Sequence, residues 1–255
     1  MSEYYKILPQ QYKWTGIRIM PWNEAKKLLP PRACGFFKKG KYFSVRKHGD
    51  VVVKTARNDR PILNTKYKEN DLTKRIFSQI TTDDIDNLMA SVPGYNVSVL
   101  EAYVRAKVEQ LSYERLCVSV GREFMVEQSV ALTWGRGGKN SGLNVLLLQP
   151  YVHGRTIRSM FPFRYSIFGK PESGMRIRGK FNSIIPIMGP QLRHLIESHY
   201  VDVHTRNFIY AGDGRLVYVD YQPAFPKLCE QGMDDHRMHS RPYHRLDEML
   251  RSWGF

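Results

Sequence analysis

The sequence predicts an α+β fold, with strand hairpins and helices interspersed along the chain. Three observations carry this expectation. Between Gly35 and Lys54, two apolar-rich runs flank a His48-Gly49-Asp50 turn, the pattern of an antiparallel hairpin. Over residues 98–118, Leu100, Val104, Val108 and Leu111 recur at helical spacing. Over residues 208–219, Phe208-Ile209-Tyr210 and Leu216-Val217-Tyr218-Val219 enclose a Gly212-Asp213-Gly214 turn, which reads as a second hairpin.

In chain order, residues 1–33 read as an N-terminal arm with a short helix around Trp22–Leu29 ahead of Pro30-Pro31. The strand pair of 35–54 follows. Residues 68–80 and 82–91 read as helices, the second with Thr81 or Thr82 as N-cap and acidic residues in its first turn. Pro93-Gly94 interrupts the pattern before the helix of 98–118. Strands are expected near 125–134 and 144–150, joined by the glycine-rich stretch 135–142. Residues 158–182 are irregular, basic and aromatic. A helix over 184–199, with Pro186 and Pro190 near its start, leads into the second hairpin, and a short helix over Leu246–Trp253 ends the sequence.

The 255 residues are 42% hydrophobic, which suits one domain or two small lobes. No apolar run reaches 18 residues, so no membrane span is expected. The N-terminus lacks the basic-then-apolar layout of a secretory signal, so the cytoplasm is the expected location. A protein delivered into another cell's cytoplasm would carry the same signals. Cys34, Cys117 and Cys229 are odd in number and widely spaced, without a Cys-x-x-Cys pair, and read as free thiols of a reducing compartment. The formal net charge of +15 attracts anions: nucleotides, nucleic acid, anionic lipid or an acidic protein. The basic residues are scattered, with small concentrations at Lys38–Lys47, Arg155–Arg158 and Arg176–Lys180. No nucleic-acid-binding module accompanies them. Nucleic acid is retained as a candidate partner on charge alone.

The chemistry concentrates in residues 201–222. Asp202 precedes Asn207 by five positions, Asn207 opens the first strand of the hairpin, and Asp220 closes the second. Two carboxylates and an amide at adjacent strand ends can position a hydroxyl and hold magnesium against phosphates. This arrangement resembles the catalytic loop and metal-binding aspartate of the protein-kinase-like superfamily, whose loop reads H-R-D-x-x-x-x-N. Asp202-Val-His-Thr-Arg-Asn207 is most similar to the D-x-H-x-x-N loops of aminoglycoside phosphotransferases and small bacterial or phage kinases.

The resemblance implies a two-lobed protein-kinase-like fold: an arm over 1–33, a β-rich N-lobe over 34–150 and a minimal, mainly helical C-lobe over 151–255. It implies ATP and Mg2+ as cofactors. Asp202 would orient the substrate hydroxyl, and Asn207 and Asp220 would hold the metal. Val51-Val52-Val53-Lys54 resembles the family's lysine strand, so Lys54 would grip the α and β phosphates. Gly40, Phe43 and Ser44 would form a degenerate glycine loop over the nucleotide. Gln149 and Tyr151 would lie at the hinge beside the adenine. Glu101 is the first choice for the glutamate that pairs with Lys54, with Glu109, Glu114 and Glu69 as alternatives. With Glu101, residues near 58–96 become an insertion.

The chain also departs from the pattern. Tyr200 and Val201 stand where the family has His and Arg, Asp220-Tyr221-Gln222 replaces Asp-Phe-Gly, and no Ala-Pro-Glu follows. Activation by loop phosphorylation is therefore not expected.

The resemblance implies an ATP- and Mg-dependent phosphotransferase, first of all a small atypical Ser/Thr protein kinase acting on a protein substrate, to which the positive charge gives an acidic bias. A small-molecule kinase, a pseudokinase or nucleic-acid-binding scaffold, and nucleotidyl transfer to protein are the alternatives. The plainer readings of the same residues are a turn-capping Asp202, a strand-end Asn207 and an exposed strand lysine at 54. His194, His199 and His204, and separately His236, His239 and His244, are candidate metal sets, but neither has recognised ligand spacing.

Overall fold

The computed structural model describes residues 7–29, 37–39, 43–56, 78–93, 97–135, 143–160, 182–197, 205–219 and 241–255. The helix expected over 68–80 lies outside these residues except for its last three. So do most of the glycine-rich stretch 135–142 and most of 158–182. The chain divides into two compact units, one of Lys6–Glu114 and Glu127–Tyr151, the other of Arg115–Val126 and Val152–Phe255.

The first unit is built on a mixed six-stranded sheet of β1 (Ile17–Pro21), β2 (Phe37–Lys39), β3 (Phe43–His48), β4 (Val51–Ala56), β5 (Ser129–Trp134) and β6 (Asn144–Pro150). The strand order is β1-β5-β6-β4-β3-β2. Only the β1–β5 pairing is parallel. The expected β3–β4 hairpin is present: His48 pairs with Val51 across a two-residue Gly49-Asp50 turn. Gly49 has φ 56°, the left-handed conformation such a turn requires. β4 and β6 are central strands, and every residue of β6 is buried, as expected of an apolar run with strands on both sides.

Both faces of this sheet are covered. Val51, Val53, Leu146 and Leu148 pack on one face with Leu8, Tyr12, Met20 and Ala25, the last from α1 (Trp22–Leu28). The other face carries Ala56, Val130, Leu132, Val145 and Leu147. Leu88 of α2 (Thr82–Ser91) and Val99, Tyr103 and Ala106 of α3 (Val97–Val120) cover it. α2 starts as expected: Thr81 Oγ1 accepts from the Asp84 N–H, and the Asp84 carboxylate accepts from the Thr81 N–H, a reciprocal capping box.

The sequence reading missed β1. Ile17-Arg18-Ile19-Met20-Pro21 is too short for its periodicity to register, and its partner lies far along the chain, with Ile17 paired to Val130. The described residues up to 29 contribute one sheet strand and one core layer.

The second unit contains the 3-10 turn Arg122–Phe124, β7 (Gly154–Thr156), α4 (Ile157–Met160), α5 (Ile185–Glu197), β8 (Phe208–Ala211), β9 (Leu216–Tyr218) and α6 (Arg241–Trp253). β7, β8 and β9 form an antiparallel sheet in that order. Val126, Val152, Ala211 and Val217 form a core beside it. β7 approaches β8 so closely that a Cβ at Gly154 would collide with the Tyr210 carbonyl oxygen, so only glycine fits there. α6 begins five residues earlier than expected, because Pro242 falls in its first turn, where the missing N–H costs nothing. No described helix is long and apolar enough to cross a membrane.

Candidate functional site

Lys54 lies on β4 between Val45 of β3 and Leu147 of β6, and is only 7% exposed. Alternation along the strand turns it away from Val53 and toward the face covered by α3. Phe43, Val45 and Lys47 of β3, Val52 and Ala56 of β4, and Leu147 and Gln149 of β6 share that face by register. The face changes character along its length. At Ala56 and Leu147 it is apolar and packed under the helix. Two residues on from Leu147 it becomes polar: the buried Gln149 donates from Nε2 to Gln128 Oε1 at 2.9 Å. The Lys47 ammonium sits 3.5 Å from the centre of the Tyr151 ring, and the Tyr151 N–H donates to the Asp50 carbonyl at 2.7 Å. Lys54 stands at the junction of the apolar and polar ends.

Phe43, Lys54 and Gln149 therefore share one face, with Tyr151 directly beyond β6. Ser44, paired with Thr55, turns to the opposite face. Gly40 lies outside the described residues.

The glutamates of α3 separate by burial. Glu101 is exposed, and so is Glu114, which accepts from Gln110 Nε2 at 2.9 Å. Glu109 is 3% exposed. It follows Ala106 by three positions and Ala102 by seven, both of which pack on the Lys54 face of the sheet, so helical spacing directs it to the same side. The Arg105 guanidinium, one turn earlier, lies 5.0 Å from the Phe43 ring centre, which brings α3 across β3. Of the described glutamates of α3, Glu109 rather than Glu101 is the one buried on the side of the sheet that carries Lys54. α3 carries two apolar stripes: the expected one of Leu100, Val104, Val108 and Leu111 forms a cluster with Ile80. The sheet-facing stripe through Val99, Ala102 and Ala106 is broken by a charge at 109, which hid it. Glu69 lies outside the described residues.

In the second unit Asn207 is 2% exposed and immediately precedes β8. Its carbonyl accepts from the Val219 N–H at 2.9 Å, which closes the base of the β8–β9 hairpin. Phe208 and Tyr218 stack across the two strands with ring centres 5.4 Å apart. The Thr205 carbonyl accepts from the Arg158 N–H at 3.2 Å, tying the approach to Asn207 to α4. Asp202 and Asp220 lie outside the described residues.

Of the two histidine sets, only His194 has a described side chain. His194 Nε2 is 2.8 Å from the Val120 carbonyl, and its ring packs against Phe124, a structural role. His199, His204, His236 and His239 lie outside the described residues.

No protein-family model matches the chain, and no curated protein matches it. Among solved structures, a 2.2 Å crystal structure of WbdD aligns at 11% identity and a TM-score of 0.30, covering 86% of this chain and 45% of that one. A co-crystal structure of WbdD with the kinase inhibitor LY294002 aligns at 11% identity and a TM-score of 0.28, covering 86% of this chain and 46% of that one. The chain thus spans less than half the length of these proteins. Superpositions this loose decide neither architecture nor activity, and the functional reading rests on the residues themselves.

Proposed function

We propose that this chain is an ATP- and magnesium-dependent phosphotransferase of two-lobed, protein-kinase-like type, acting on a hydroxyl of a protein substrate. The observation that carries the reading is a lysine buried on the central strand of a β-rich unit, on the face toward which a long helix turns a buried glutamate. Burying either charge alone is costly, so a lysine is kept in such a place when it has a partner and an anion to hold. In this reading Glu109 orients Lys54, and Lys54 holds the nucleotide phosphates. Gln149 and Tyr151 border the base. Asp202 accepts or orients the proton of the attacking hydroxyl.

Asn207 and Asp220 fit a hard divalent cation. Asn207 supplies an amide oxygen from a buried strand end, and a carboxylate follows Val219, whose N–H is tied to the Asn207 carbonyl. Magnesium, when bound, would neutralise charge on the transferring phosphoryl group. The net charge of +15 favours an acidic protein over a cationic small molecule as substrate.

Incubation with labelled ATP and acidic acceptor proteins tests this. The parent should label an acceptor, and Asp202→Ala and Asp220→Ala should each lose at least about a hundredfold in rate, as expected for removal of a positioned acid–base group or a metal ligand. Equal labelling by parent and both variants sinks the reading. The mass added to the acceptor separates phosphoryl from nucleotidyl transfer.

A further inference from the structure

α5 carries a residue that no motif singled out. The Gln191 side chain makes three hydrogen bonds. Its Nε2 donates to the Gly214 carbonyl at 3.1 Å and to the Ile187 carbonyl one turn back at 3.0 Å, and its Oε1 accepts from the Leu216 N–H at 2.8 Å.

The hairpin ladder shows why this matters. Ala211 N–H donates to the Arg215 carbonyl, and Val219 N–H to the Asn207 carbonyl. Antiparallel pairing alternates, so the intervening Tyr210–Leu216 pair turns its Leu216 N–H outward. β9 is the edge strand of its sheet, and Gln191 satisfies that outward donor. The second bond holds the turn itself at Gly214, whose φ of 88° suits glycine. α5 is anchored as well. Arg193 pairs with Asp247 of α6 at 2.7 Å, and His194 meets the Val120 carbonyl at the end of α3.

We infer that Gln191 is a positioning residue, clamping the β8–β9 hairpin onto α5 and thereby setting the placement of Asn207 at the entry to β8. Its consequence for metal binding rests on the phosphotransferase reading.

The test uses the full chain and three variants. Gln191→Met removes all three bonds. Gln191→Glu keeps the acceptor for Leu216 and loses the donors. Leu250→Ala, a core deletion in α6, is the control for general destabilisation. Hydrogen exchange of the Leu216 amide and the Mg2+ concentration giving half-maximal ATP turnover are measured on each.

Gln191→Met should speed Leu216 exchange and raise the Mg2+ requirement, each by about tenfold, the worth of one net hydrogen bond. The Michaelis constant for the protein acceptor should stay near that of the parent. Gln191→Glu should keep Leu216 slow, with an intermediate Mg2+ requirement. Leu250→Ala should lower the melting temperature without changing the Mg2+ requirement. Unchanged Leu216 exchange in Gln191→Met overturns the clamp, and a Mg2+ requirement matching that of Leu250→Ala overturns its role in metal placement. A parent with no Mg2+-dependent ATP turnover overturns the functional reading and the metal role with it, while Leu216 exchange still decides the clamp.

Discussion

Lys54 and Glu109 set the energetics at the scale of single residues. Both are almost fully buried in the first unit, and helical spacing and strand alternation direct them to the same side of the sheet. In the proposed site the two charges pair, and removing one leaves the other uncompensated, at a cost of about 3–5 kcal/mol, whereas a substitution at an exposed position without such a role stays within about 0.5 kcal/mol. Glu109→Gln should therefore lower the urea midpoint strongly and Glu101→Gln hardly at all. The double variant Lys54→Met, Glu109→Gln should recover much of the loss, because no charge is stranded. Equal, small shifts for Glu101→Gln and Glu109→Gln would remove Glu109 from its role. These residues also show how legible the site was. Lys54 and Asn207 stood out because their neighbours are apolar strand residues. Which glutamate of α3 is buried toward the sheet could not be read from the sequence, because two apolar stripes run along α3 and only the packing shows which one meets the sheet.

At the scale of elements, the junction of α2 and α3 is held by a polar cluster. The Tyr103 hydroxyl donates to the Asp84 carboxylate, and the Lys107 ammonium lies 3.4 Å from it. Burial pushes the Asp84 carboxyl up, but the bonds from Tyr103 and the Thr81 N–H, with the Lys107 charge, outweigh it and hold the group below its usual range. Burial raises the Tyr103 hydroxyl, and the neighbouring carboxylate raises it further. The signs give two limbs. Asp84 binds its proton less readily folded than unfolded, so its contribution is present above its ordinary pKa of 3.8 and lost as pH falls through the lower folded value. Tyr103 holds its proton more tightly folded, so its contribution is complete below its ordinary 10.0 and lost as pH rises beyond it. Tyr103→Phe should flatten the alkaline limb of a stability-against-pH curve and shrink the acid one. An unchanged curve would show that the cluster does not couple to folding. The capping half of this cluster was readable in the Thr81–Asp84 spacing, because capping is local. The Tyr103 bond was not, because it joins two helices across the Pro93-Gly94 break.

At the scale of the whole molecule, the described elements divide into two units, and residues 7–29 belong to the first of them. β1 escaped the sequence reading for the reason that β8 and β9 did not: a hairpin announces its partner a few residues away, and a parallel edge strand does not. The consequence is energetic. Leu8, Tyr12, Met20 and Ala25 are buried against Val51, Val53, Leu146 and Leu148. The Glu127 carboxylate accepts from the Leu8 N–H at 2.9 Å and lies 3.3 Å from the Lys13 ammonium. Burying a side chain such as Leu or Met is worth about 1.5–3 kcal/mol, so losing this layer removes an amount comparable with the whole stability of a domain, about 5–15 kcal/mol. It would also uncover the face of β4 directly behind Lys54. Deleting residues 1–29 should therefore abolish cooperative unfolding of the first unit and nucleotide binding with it, while the amide protection of the β8–β9 hairpin in the second unit persists. A truncated chain that melts at the parental temperature and still binds ATP would show instead that these residues are dispensable to the sheet they cover.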